Sequence, residues 1–243
     1  MLAKRIIPTV LCRGRQMVKG VAFDSWRSVG LAAQAVRIHS MRGVDELVLL
    51  DISATREGRG PDLKLVEELA EVCYMPIAVG GGIRTLEHAK DLLRAGADKV
   101  VVRTGGPAAA AAIANSIGCQ AVVAAIDVTS LDYQARPASD RLVHFAIEAA
   151  MEWQCAGAGE IMLTRCEREG TMMGYDLDLI RHVAAAVSIP VIAHGGAGHY
   201  EHMRQAIEAG ADAVAAGAMF SFTDATPRGA AEYLANHGIE VRI

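Results

Sequence analysis

The chain has 243 residues and a formal net charge of -4, with 52% hydrophobic and 21% charged residues. So mild an acidic balance gives no basis for binding nucleic acid or an anionic membrane, and no apolar run approaches the roughly 20 residues of a spanning helix. No basic, apolar, small-residue leader opens the sequence, so the expected location is cytoplasmic. The five cysteines (Cys12, Cys73, Cys119, Cys155, Cys166) are odd in number and form no CxxC pair. That predicts reduced thiols, with no disulfide framework, no metal site and no cofactor. Cys12 and Cys166 follow predicted strands, but neither has a neighbouring base, so they read as packing residues.

In chain order, the first predicted strand is Arg5–Leu11. After it comes Met17-Val-Lys-Gly20, where Lys19 is a candidate for a mobile loop that closes on a phosphorylated ligand. The second strand, Leu47–Ser53, opens after Glu46 and carries Asp51 near its end. A helical pattern over Pro61–Tyr74, with Pro at its first turn, leads to the third strand, Pro76–Gly80, and the run Gly80-Gly81-Gly82. The fourth, Lys99–Arg103, continues into Thr104-Gly105; the fifth, Ala121–Asp127, ends on a carboxylate; the sixth is Glu160–Thr164. A helix over Asp176–Val187 precedes the seventh strand, Val191–His194, which runs into Gly195-Gly196, and the eighth is Asp212–Gly217. Strands alternating with amphipathic helices, and no linker between them, predict one domain over 1–243, a (β/α)8 barrel.

The chain also repeats itself. The segment from Pro76 to Thr104 aligns without a gap to that from Pro190 to Ala218, and the same displacement carries Gly43–Leu49 onto Gly157–Leu163. Both copies read strand, Gly-Gly, helix, Ala-Gly-Ala-Asp, strand, which predicts a barrel of two homologous halves.

Such barrels work at the strand C-termini. Glycines there let a backbone turn approach a phosphate and donate N–H groups to it. Gly82 with Arg103 and Thr104 forms one candidate pocket, and Gly196 with Gly217 the other, which suits a ligand phosphorylated at both ends. Asp127 and Asp51 are the acid–base candidates, because a carboxylate ending an apolar strand points into the barrel mouth. At the opposite end, Arg5, Glu46, Lys99 and Glu160 each open or precede a strand. They form either a salt-bridged plug or a gate for a small neutral molecule, and the sequence leaves both open.

The stretches MLAKRIIP, Met17-Val-Lys-Gly20, DELVLLDI, VGGGIR, AGADKV, AGEI, GYD, GGAG and HGIEVRI resemble, over essentially the whole chain, the cyclase subunit of imidazole glycerol phosphate synthase, the HisF family. The resemblance implies a class I glutaminase partner docked on the strand N-terminal face. Its ammonia would cross the barrel to a phosphorylated ribonucleotide at the other face. It also implies a gate at Arg5, Glu46, Lys99 and Glu160, a loop lysine at Lys19, phosphate sites at Gly82 and Thr104 and at Gly170 and Gly196, and catalysis by Asp127.

Several positions depart from the family pattern. Leu11 stands where the family has a second catalytic aspartate. Glu167 and Glu169 replace aspartates, Arg103 an asparagine and His194 a serine, and the segment after Asp127 (VTSLDYQARPASDR) lacks the family hairpin. An intact floor beside a rebuilt mouth predicts a paralogue, similar to HisF-like proteins associated with surface-polysaccharide sugar amidation. It would be an ammonia-channelling synthase subunit outside standard histidine synthesis. The alternatives are an authentic cyclase subunit that tolerates Leu11, or a non-catalytic conduit passing ammonia to a separate amidotransferase.

Overall fold

A computed structural model of the chain describes residues 3–130 and 138–242. Strand β1 (Arg5–Arg13) runs into an antiparallel hairpin, β2 (Gln16–Val21) and β3 (Asp24–Leu31). Then follow α1 (Ala32–Met41), β4 (Leu47–Asp51), α2 (Leu63–Ala70), β5 (Ile77–Gly80), α3 (Leu86–Arg94), β6 (Lys99–Val102) and α4 (Gly106–Ile117). The second half comprises β7 (Val122–Val128), α5 (Ala138–Cys155), β8 (Glu160–Arg165), α6 (Leu177–Ala186), β9 (Val191–His194), α7 (Tyr200–Glu208) and β10 (Ala213–Ala216), and ends in α8 (Ala218–Phe222) and α9 (Pro227–Asn236). Strands β1, β4, β5, β6, β7, β8, β9 and β10 pair in that order, all parallel. Pairing of Arg5 with Ala213 and Ile7 with Ala215 closes the cylinder. Among the described residues no helix is long and apolar enough to cross a membrane.

The eight expected barrel strands are all present; the hairpin β2–β3 was not foreseen. The helix expected from Pro61 begins at Leu63 instead. Asp62 caps it by accepting from the Leu65 amide at 3.1 Å, which leaves Pro61 outside, before the cap. The internal repeat persists in three dimensions. Asp176, the counterpart of Asp62, caps α6 through the Leu179 amide (3.2 Å). Asp98 accepts from the Ile77 amide at 2.8 Å, and its counterpart Asp212 accepts from that of Val191 at 3.1 Å. His88 and His202 each take a turn amide through Nδ1, from Arg84 and Gly198.

Side chains alternate across each strand, so one face packs on the helices and the other fills the barrel. The outer face joins the helices in the large core. The inner face forms a separate apolar layer of Ile7, Val48, Ala78, Val101, Val123, Met162, Ile192, Ala213 and Ala215. Counting two residues back along β1, β4, β6 and β8 gives Arg5, Glu46, Lys99 and Glu160. Counting two forward along β6, β8 and β9 gives Arg103, Thr164 and His194. The same two-residue period therefore stacks a charged floor, an apolar middle and a polar mouth.

Candidate active site at the barrel mouth

At the floor, the four charges close into a ring. Arg5 Nη1 lies 2.5 Å from Glu46 Oε2 and Nη2 lies 3.1 Å from Glu160 Oε2, while Lys99 Nζ reaches Glu46 at 3.0 Å and Glu160 at 2.9 Å. Burial works against charge on Arg5, but the two carboxylates outweigh it and hold the guanidinium above its ordinary value. Each cation thus has two anions and each anion two cations, the arrangement that makes buried charge tolerable.

At the mouth, a cleft of about 990 Å³ is lined by Leu11, Asp51, Gly81, Gly82, Arg103, Thr104, Asp127, Thr164, Glu169 and His194, with Phe23 and Trp26 overhanging it from the hairpin. Asp127, Thr164 and His194 are register neighbours across β7, β8 and β9. Thr164 Oγ1 is 3.1 Å from His194 Nδ1. Burial raises the Asp127 carboxyl above its usual range, opposed chiefly by Arg103, whose Nε sits 2.8 Å away. That guanidinium spends one donor on Asp127 and keeps its exposed fork free for a ligand, so Arg103 serves the carboxylate as well as the phosphate pocket expected of it.

Asp51 stands differently. Its Oδ1 accepts from the Ser53 amide and hydroxyl (both 2.9 Å) and the Ala54 amide (3.2 Å), and Oδ2 accepts from Arg59 Nη2 at 2.6 Å. These four bonds fix the loop after β4. That leaves little lone-pair capacity for proton transfer, despite the catalytic role expected for this residue. Glu167 is tied down likewise, by Ser130, Thr129 and Arg165. Cys12 and Cys166 are buried, and burial pushes both thiols up to about 12, as suits packing residues.

Lys19, expected on a mobile loop that closes on a phosphorylated ligand, is placed on a strand instead. It lies on β2 with its side chain turned into the barrel, 2% exposed, and its Nζ donates to the Thr9 carbonyl at 3.1 Å. Burial lowers its pKa to about 8, with Glu169 opposing the shift. The ammonium packs where a Cβ on Gly217 would be, so a side chain there would have to displace it. The two expected phosphate edges therefore differ. Gly82, Arg103 and Thr104 line the open cleft, whereas Gly170 packs against the backbone of Gly20 and Gly217 lies beneath Lys19. Gly82 (φ 72°) and Gly196 (φ 106°) both take left-handed turns closed to other residues, which keeps the two turns alike in backbone form. Of the rebuilt segment after Asp127, residues 131–137 lie outside the described residues.

The fold and this layered site define a class: a half-barrel-duplicated (β/α)8 protein with a charged floor and an anion-ready mouth. The family model for histidine biosynthesis proteins matches residues 5–226. The imidazole glycerol phosphate synthase subunit HisF of Exiguobacterium sibiricum is 43% identical, with both chains covered in full. Those of Chlorobium phaeobacteroides (42%, both chains covered in full) and a Thermotoga species (41%, all of this chain and 99% of the relative) are similar to the same degree. The chain belongs to the HisF family. These relatives agree with the alternative of an authentic synthase subunit, and they lend no support to the expected role outside histidine synthesis.

Proposed function

We propose that the chain is the cyclase subunit of an imidazole glycerol phosphate synthase serving histidine synthesis. It takes ammonia from a class I glutaminase docked at the strand N-terminal face and joins it to a phosphorylated ribonucleotide held at the mouth. The observation that carries this reading is the axial stack itself. A ring of Arg5, Glu46, Lys99 and Glu160 meets the partner side, an interior rich in alanine follows, and the cleft with Gly82, Arg103, Thr104 and Asp127 opens beyond it. Neutral ammonia crosses such an interior at little cost, whereas a charged ammonium does not. Exposed Met41 (80%) and Tyr74 (89%), flanked by Arg37 and Arg42 at the N-terminal end, offer the apolar and cationic anchors that interfaces favour. In this reading the second phosphate edge, at Gly170, Gly196 and Gly217, opens when the hairpin withdraws Lys19, whose ammonium then pairs with the phosphate.

A second reading keeps the ammonia route but gives it another acceptor, as a subunit outside histidine synthesis. Leu11 lining the cleft, and Arg103 bound to Asp127, favour it. The two are separated by complementation of a histidine-requiring strain that lacks its own cyclase subunit, grown with ample ammonium. Growth from the unmodified gene supports the first reading. Absence of growth with the protein soluble and abundant moves the second to the front.

A further inference from the structure

If the chain cyclises, its mouth has to hold two proton-carrying groups, one to take a proton and one to give it. Asp127 is one. Leu11 lines the same cleft and can carry nothing, and Asp51 is committed to the Ser53–Ala54 turn and Arg59.

His194 has the remaining credentials. It lies on β9 two residues beyond Ile192, on the inward row, so it stands where the apolar interior gives way to the cleft. It is 5% exposed, yet its Nε2 has no hydrogen-bond partner among the described residues, although Nδ1 is engaged with Thr164. In the tautomer whose Nδ1–H donates to Thr164 Oγ1, the free lone pair of the ring stands on Nε2. Glu169 Oε2, 4.0 Å from Nε2, is positioned to compensate a charge appearing there.

We infer that His194 is the second proton-carrying catalytic residue, its Nε2 accepting a proton from the attacking nitrogen while Asp127 attends the opposite side of the acceptor. As the ammonia lone pair forms the new N–C bond, a π-electron pair of the acceptor carbon moves onto its heteroatom. The nitrogen then releases one proton to Nε2. Asp127 gives its proton to the heteroatom and is reprotonated by the imidazolium held beside Glu169, so no net proton is gained or lost. The charged groups acting on the ring from other elements are Lys19 on β2, Asp127 on β7 and Glu169 after β8, and Arg103, just after β6, lines the same cleft. Burial lowers the His194 pKa, with Glu169 and Asp127 opposing, which favours the neutral ring.

This assignment rests on the cyclase reading, and it is tested with ammonium salts and the histidine-pathway ribonucleotide on the full chain. His194→Asn keeps a group opposite Thr164 but removes Nε2. Its kcat should fall about 10²–10⁴-fold, the usual worth of a general acid or base, with KM little changed and the acidic limb of the pH profile lost. His194→Ala should regain rate with added free imidazole, which a packing role would not allow. Full kcat with an unaltered pH profile in His194→Asn, or no imidazole rescue of a folded His194→Ala, overturns the assignment while leaving the cyclase reading intact. An unmodified protein without turnover overturns the reading and the assignment together.

Discussion

An ammonium held at 2% exposure with one carbonyl partner is costly, and Lys19 is kept in that state. Below pH 8 it is charged in both folded and unfolded chains, and the full burial cost applies. Between about 8 and 10.5 the unfolded chain holds a proton that the folded chain has shed, so stability against unfolding rises with pH. Lys19→Met should therefore stabilise the protein at pH 7 by on the order of 2–3 kcal/mol, with the gain shrinking between about pH 8 and 10.5, and should weaken binding of a bisphosphorylated ligand. Urea titrations at pH 7 and 10.5 check the sign. Arg103 makes a second case at this scale. It is the main influence opposing the rise of the Asp127 carboxyl, so Arg103→Ala should move the alkaline limb of the activity profile, set by loss of the Asp127 proton, to higher pH. An unmoved limb would mean that Asp127 does not titrate in turnover. Neither contact was legible beforehand. Arg103 and Asp127 sit on neighbouring strands far apart in sequence, and nothing around Lys19 says that its side chain folds inward. Glu169 and His194 stood out only as departures from a family pattern, without a hint that Thr164 stands between His194 and Asp127 in register.

Among elements, the barrel strands were readable because each is a short β-rich apolar run between helical patterns, ending at a glycine or a charge. The hairpin β2–β3 was not, for two physical reasons. Strand β3 is mostly exposed, so it lacks strict apolar alternation. Its two-residue turn is Ala22-Phe23, both with positive φ (50° and 61°), in place of the Asn-Gly pair that normally announces this turn. The β-branched and aromatic residues Val18, Val21, Trp26 and Val29 around that turn were the signal available. The strained turn is latched to the rim of the barrel mouth by the Ala22 amide, which donates to the Glu169 carbonyl at 2.8 Å, and Phe23 overhangs the cleft. Replacing Ala22-Phe23 by Asn-Gly should relieve about 1–2 kcal/mol of left-handed strain and raise Tm, while weakening ligand binding through the lost aromatic ring. A lower Tm would show that Phe23 packing, and not turn geometry, decides the hairpin.

Over the whole molecule, duplication explains why so much was legible. Once Pro76–Thr104 maps onto Pro190–Ala218, two four-stranded halves and two glycine turns follow. The paired Asp62/Asp176 caps and Asp98/Asp212 anchors show the copies still folding alike. The mouth breaks that symmetry, with one glycine edge open and the other under Lys19, and the repeat could not reveal it. The floor ring and the cleft lie at opposite ends of one apolar interior, so the account stands or falls on whether nitrogen passes between them. The direct measurement counts glutamine hydrolysed against ribonucleotide consumed, in a complex of the full chain with a class I glutaminase. The account predicts equal counts for the unmodified chain, and hydrolysis outrunning consumption when Lys99→Ala opens the ring. Equal counts in the Lys99→Ala complex, or glutamine hydrolysis that the unmodified chain leaves unstimulated, would contradict it.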